Sequence, residues 1–349
     1  MRFNCQVPLC ETTSLDVCSI DEHYEPGRPF VLATLIEPQD TATMGFSAFG
    51  AFDNSSRTHY TLAARKEADL PLNQLFSVAV AANGTAGALA ATALVTFPDA
   101  LPPADITYIF TAGGIVYVAF EQGTVVGVAP ASGALVSNFT FLPAGRGLAA
   151  TKAAGFDAAA GVFWSNAVGP DGFYLASLAL AGGATTLVGP LPPTPGADTG
   201  PNKERLETSV ATIPVYPPAA MGFGPAVRIM ELRTSPEAPW IMIVTMDSAT
   251  GNVTEVPMDA DWWQDWDIDS EIVPQWPGST HKVWSYDPTT NYLWIKLYDE
   301  CGGRVDDCDE NETILWLDWT QPGYVFWDIA VEPVEYQLTQ MVWVPILGA

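Results

Sequence analysis

The sequence predicts an all-β protein, specifically a β-propeller of six four-stranded blades, with five or seven as alternatives, in a ring closed by strands from both chain ends. Three observations carry this expectation. Gly and Pro occur 29 times each, and they punctuate the chain roughly every 8 to 12 residues, the spacing of short strands joined by turns. The runs between them favour β-branched and aromatic residues, as in Gly114-Ile115-Val116-Tyr117-Val118-Ala119-Phe120, Trp240-Ile241-Met242-Ile243-Val244 and Tyr292-Leu293-Trp294-Ile295-Lys296-Leu297-Tyr298. Such residues suit a pleated, half-buried surface. Finally, turn-and-strand units recur on a scale of about 50 residues, the size of a propeller blade.

Taken in chain order, residues 1–28 form a cysteine-containing arm, and residues 29–349 form one propeller domain. The expected blades cover 44–98, 105–143, 147–190, 208–258 and 265–331. Strand material at 336–346 beside 29–36 completes the ring, which removes exposed sheet edges. The Ala-rich stretch 79–93 is interrupted by Asn83-Gly84 and Gly87; a helix interior tolerates Gly poorly, so this stretch is read as extended. The Pro-rich stretch 191–218, with its charged patch Lys203-Glu204-Arg205, reads as a long inter-blade connection. A domain boundary there is the alternative. It draws on an asymmetry, since eleven of the twelve tryptophans stand at or after Trp240.

Two repeated elements support the blade map. Phe156-Asp157-Ala158-Ala159-Ala160-Gly161-Val162-Phe163-Trp164 matches Tyr286-Asp287-Pro288-Thr289-Thr290-Asn291-Tyr292-Leu293-Trp294 position for position. In this pattern the Asp accepts hydrogen bonds from turn amides and the Gly or Asn takes a positive φ. Ala129-Pro130-Ala131-Ser132-Gly133-Ala134-Leu135 resembles Met246-Asp247-Ser248-Ala249-Thr250-Gly251-Asn252-Val253, each a hairpin turn leading into a strand. Met44-Gly45-Phe46 is echoed at Met221-Gly222-Phe223. Over 156–189 and 286–329 the order of aromatic, Asp, turn, Gly or Asn, and a strand carrying Trp resembles blades of the calcium-dependent phosphotriesterase, YWTD and NHL propeller superfamilies. The resemblance is one of architecture and implies a six-bladed propeller; no YWTD tetrad or NHL triad is present.

Charge narrows the partners. The chain carries 40 acidic and 14 basic residues, a net charge of −26, which repels nucleic-acid phosphates and anionic membrane surfaces. Hydrophobic residues make up 48%, enough to build a core and to exclude disorder. No apolar window of about 18 residues marks a spanning helix.

Five of the ten asparagines, Asn54, Asn83, Asn138, Asn252 and Asn311, stand in N-x-[ST] sequons without an intervening Pro. A sequon is read only in the secretory pathway and needs an exposed acceptor. The chain is therefore read as a secreted glycoprotein. Its opening residues Met1-Arg2-Phe3-Asn4-Cys5 lack the apolar core of a signal peptide, so this reading expects a processed leader outside the sequence or a misassigned start; the competing reading is a cytosolic chain with chance sequons. Cys301-Gly-Gly-Arg-Val-Asp-Asp-Cys308 reads as a disulfide-closed loop. Cys5, Cys10 and Cys18 cannot all pair among themselves, which leaves one for the rest of the chain, for another molecule or as a free thiol.

Candidate chemistry is sparse. As a strand, Asp265–Asp269 would put Asp265, Asp267 and Asp269 on one face, three carboxylates that invite a calcium ion. Trp262, Trp263 and Trp266 beside them could form a platform for a sugar ring. The plainer reading of both is a solvated acidic loop whose tryptophans pack between blades. Asp306-Asp307-Cys308-Asp309-Glu310 lacks the order of an EF-hand and reads as a loop tip. His23, His59 and His281 lie in no catalytic motif and read as surface or turn residues. Neither G-x-S-x-G, G-x-G-x-x-G nor a P-loop occurs. The reading leans away from an enzyme, with no cofactor besides the calcium candidate. It favours a structural or adhesive extracellular propeller that contacts other copies of itself or extracellular glycans, as the subunit of a filament or surface coat would. The alternatives are a lectin-like propeller and a calcium-dependent hydrolase or glycosidase.

Overall fold

The computed structural model describes residues 44–65, 73–82, 86–158 and 160–190, together with strands between 212 and 331. The described strands form five antiparallel four-stranded sheets, each in simple sequence order. The first holds β1 (Met44–Asp53), β2 (Thr58–Arg65), β3 (Gln74–Ala79) and β4 (Ala90–Leu94). The second holds β5 (Ile106–Ala112), β6 (Ile115–Phe120), β7 (Thr124–Val128) and β8 (Leu135–Thr140). The third holds β9 (Ala149–Asp157), β10 (Val162–Gly169), β11 (Gly172–Ala179) and β12 (Thr185–Val188). The fourth holds β13 (Thr212–Val215), β14 (Arg228–Ser235), β15 (Ala238–Asp247) and β16 (Val253–Pro257). The fifth holds β17 (Trp284–Asp287), β18 (Tyr292–Tyr298), β19 (Glu312–Asp318) and β20 (Val325–Val331). Each sheet falls inside one of the five units mapped from the sequence. Among the described residues the only helical element is one 3-10 turn, Pro103–Asp105.

The first four sheets are joined through their first strands. β1 lies against β5, β5 against β9, and β9 against β13. The first three of these run the same way. Thr111 Oγ1, near the end of β5, donates to Phe52 O near the end of β1 at 2.9 Å. The rings of Phe110 and Phe156, near the ends of β5 and β9, stack with centroids 4.5 Å apart. Four-stranded meanders set around a row of co-directional inner strands are the blades of a β-propeller. The segments expected to close the ring, 29–36 and 336–346, and the arm 1–28 lie outside the described residues.

Both faces of the second sheet's inner strands are buried, with the period of two that a strand imposes. On β6, Val116, Val118 and Phe120 join Phe49, Leu62, Leu75, Ile109 and Val126 in a core between the first and second sheets. The alternate residues Tyr117 and Ala119 join Phe110, Phe141, Phe163, Tyr174 and Leu178 between the second and third. The Ala-rich composition of this half has a packing reason. Ala119, Ala150, Ala154, Ala167 and Ala176 all belong to the second core, where small side chains leave room for large rings. Phe163, fully buried, stacks on Phe110 at 5.0 Å and meets Phe141 edge-on at 5.4 Å.

The described residues of stretch 79–93 hold no helix, as expected. β3 ends at Ala79, Val80 bridges Ala86, and the Gly87 amide donates to Ala79 O at 2.7 Å. Two readings change. Stretch 191–218 is not connection throughout, because Thr212–Val215 is the first strand of the fourth sheet and Pro214 stands opposite Ile229. His59 is not a turn residue; it sits in β2, half-buried, opposite Phe52.

Candidate functional surface: the turn end and the outer strand

The repeated Asp turn joins the first strand of a sheet to the second. Asp157 ends β9 and is buried. Its Oδ1 accepts from the Ala160 amide at 2.9 Å, its carbonyl accepts from the Gly161 amide at 2.8 Å, and Gly161 has φ +66°. Asp287 likewise ends β17 ahead of β18. The structure adds a third copy that sequence reasoning missed: Phe52-Asp53-Asn54-Ser55-Ser56-Arg57-Thr58-His59-Tyr60, between β1 and β2. Asp53 Oδ1 accepts from the Ser55 amide at 2.9 Å and from Ser55 Oγ at 2.7 Å, and Oδ2 accepts from Ser56 Oγ at 2.9 Å. Burial penalises the charged Asp53, but the bonds from Ser55 and Ser56 outweigh it and hold the carboxyl below its ordinary value.

The copy is disguised because Arg57 stands where the others have Gly or Asn. Arg57 takes φ +51°, an uncommon conformation for a side-chain-bearing residue. Its side chain compensates. Nε donates to Val80 O at 3.1 Å, Nη2 to Ala81 O at 2.9 Å, and the guanidinium sits 5.7 Å from the Phe52 ring centroid. These bonds tie the turn after β1 to the segment after β3, two connections that a meander brings to the same end.

The second repeated element joins third and fourth strands, β7 to β8 and β15 to β16. Gly133 has φ +71°, and a Cβ there would lie 2.1 Å from Leu94 O on the preceding sheet's outer strand. Gly183, φ +68° in the turn between β11 and β12, repeats the device, with its Cβ position 3.3 Å from Phe139 on β8. Each turn glycine thus lets a blade nest on its neighbour's outer strand.

Asn54 is exposed in the Asp53 turn, and Asn138 is exposed on β8, the outermost strand of its sheet. Asn83, Asn252 and Asn311 lie outside the described residues, as do Cys5, Cys10, Cys18, Cys301 and Cys308. So do the calcium candidates Asp265, Asp267 and Asp269, the sugar-contact candidates Trp262, Trp263 and Trp266, and Met221-Gly222-Phe223. Among the described residues no three His, Cys, Asp or Glu side chains gather closely enough to hold a metal ion, and no helix is long and apolar enough to cross a membrane.

A polar cluster at the opposite end was also not foreseen. Tyr174 OH donates to Asp171 Oδ2 at 2.6 Å and accepts from Arg146 Nη2 at 3.1 Å, with the guanidinium 5.1 Å from the ring centroid. The bond from Tyr174 lowers the Asp171 carboxyl, and the same bond raises the Tyr174 phenol. Gly169-Pro170-Asp171-Gly172 is a legible turn signal, but Arg146 arrives from the link between the second and third sheets. The cluster pins that link to the turn between β10 and β11.

No family model matches the chain, and no curated protein does. Solved structures that resemble it are mostly β-propellers. A luciferin-regenerating enzyme is 10% identical at a TM-score of 0.44, covering 83% of this chain and 77% of that one. The Dos1 propeller is 9% identical at 0.41, covering 82% and 61%. The Neurospora crassa Pan2 WD40 domain is 8% identical at 0.40, covering 83% and 67%. The class of β-propeller rests on the chain's own four-stranded meanders, set side by side through their first strands, and its particular role has to come from its own surface.

Proposed function

We propose that this chain is an extracellular, N-glycosylated propeller that serves as a structural or adhesive subunit by presenting surface, not by catalysis. One observation carries the reading. Both sequons in the described residues, Asn54 and Asn138, place the acceptor side chain in solvent, on separate sheets. Oligosaccharide transfer needs such exposure, and the sequence supplies three further sequons. Cys5, Cys10 and Cys18, an odd set ahead of the first described strand, suit a covalent link to a neighbouring copy.

The test is expression through a secretory host. Treatment with an N-glycosidase should lower the mass, and Asn54→Gln and Asn138→Gln should each remove one glycan. A secreted, folded protein whose mass the enzyme leaves unchanged would overturn the reading. For the subunit role, native material run without reductant should show bands that collapse to one on reduction; a single monomeric band in both lanes would remove the covalent link.

A further inference from the structure

Strand β8 is the last in the order of its sheet, and its backbone register shows what it offers on its outer side. The Phe141 amide donates to Gly123 O at 2.8 Å, so residues 123 and 141 form a hydrogen-bonding position of the β7–β8 ladder. Such positions alternate with non-bonded ones in an antiparallel pair. Phe139, opposite Val125, and Ser137, opposite Gly127, therefore turn their backbone groups toward β7. Asn138, opposite Val126, and Thr140, opposite Thr124, turn theirs outward. A bulge between Gly127 and Val128 disturbs only the turn end.

Edge strands are usually guarded by charge, Pro or short length. Three other outer strands of the described sheets have such guards. β12 is four residues long and is followed by Gly189-Pro190, β16 contains Glu255 and Pro257, and β20 contains Asp328. β8 has none of these; β4 is likewise uncharged and without Pro, but it carries no sequon. No charged residue occurs between Glu121 and Arg146, although the whole chain carries −26. Leu135 and Val136 are 38% and 51% exposed at its start. What β8 does have is a sequon, Asn138-Phe139-Thr140, inside the strand.

We propose that the glycan on Asn138 closes this edge against pairing with β8 of a second copy of the chain. The proposal rests on the glycosylation reading above. A second β8 is the occupant because a chain of net charge −26 repels its copies over most of its surface, whereas two β8 strands run antiparallel with no charge opposed and each covers the other's exposed Leu135 and Val136. A glycan rooted in mid-strand is far wider than the roughly 4.8 Å between paired strands, so the two states exclude each other.

The experiment compares secreted wild type, Asn138→Gln, Thr140→Ala, and Asn54→Gln as a control, under reducing conditions. Light scattering after size exclusion gives the particle mass, peptide mass spectrometry gives occupancy at Asn138, and circular dichroism checks the fold. Wild type and Asn54→Gln should share one oligomeric state, their masses differing only by the Asn54 glycan. Asn138→Gln and Thr140→Ala should show about twice the wild-type mass, and adding Val136→Lys should return it to the wild-type value. Wild type produced with glycan transfer blocked in the host, which keeps Asn138 itself and carries no substitution that could impair folding, should double as well. An unchanged mass in that unglycosylated protein, with Asn138 shown to be occupied in ordinary material, overturns the guard and leaves the glycosylation reading standing. An unoccupied Asn138 in secreted wild type overturns both at this position.

Discussion

Asp53 closes its turn by accepting three hydrogen bonds within three residues. Bonds to an ionised group contribute more than neutral ones, so Asp53→Ala should destabilise the protein by about 1–2 kcal/mol at neutral pH, read by chemical denaturation. The effect has a defined pH sense. The folded-state value of Asp53 lies below its ordinary 3.8. Its contribution is therefore fully present above that value and is lost as pH falls through the lower, folded-state one. The melting-temperature gap between wild type and Asp53→Asn should accordingly be steady at neutral pH and narrow once the pH drops below 3.8. Two glycines separate conformational cost from steric cost at the same scale. Gly161 has φ +66° but nothing within 4 Å of an added Cβ, whereas Gly133 has φ +71° and Leu94 O at 2.1 Å. Gly161→Ala should cost about 1 kcal/mol, and Gly133→Ala should cost about 2–4 kcal/mol because backbone must also move. Equal losses for the two would contradict the nesting of that turn on β4.

At the scale of elements, the hairpin turns were the most legible features. The Asp turn matched at 156–164 and 286–294 falls between first and second strands in both sheets, and the second repeat falls between third and fourth strands in both. These turns are local, so their chemistry is written in consecutive residues. The third Asp turn escaped notice because its positive-φ position is held by Arg57, whose support comes from Val80 and Ala81, more than twenty residues away. The Arg146, Asp171 and Tyr174 cluster escaped for the same reason. Inter-sheet packing gives a further expectation. Phe163 is fully buried and its ring contacts Tyr108, Phe110 and Phe141, so Phe163→Ala should cost about 3–5 kcal/mol. A loss under about 1 kcal/mol in denaturant titration would mean that these sheets do not pack as one core.

Over the whole molecule, charge is the dominant global term. A net −26 opposes compaction by self-repulsion, and salt screens it. The melting temperature should rise between low ionic strength and about 0.15 M salt, where the screening length is roughly 8 Å; a fall would show that attractive pairs outweigh the repulsion. The same charge separates the copies in solution, and the uncharged run around β8, from Gln122 to Gly145, is a surface whose approach to a second copy the field opposes least.

The sequence by itself determined the all-β class, the four-stranded units and their limits, and the exposed setting of Asn54 and Asn138, because turn chemistry, strand period and sequon exposure are properties of neighbouring residues. Tertiary structure alone decided which face of each strand meets which sheet, why the first half is rich in Ala, how Gly133 and Gly183 seat one blade on the next, and which backbone groups of β8 face outward. Those depend on residues brought together from distant parts of the chain, and a period of two along a strand does not say what lies against either face.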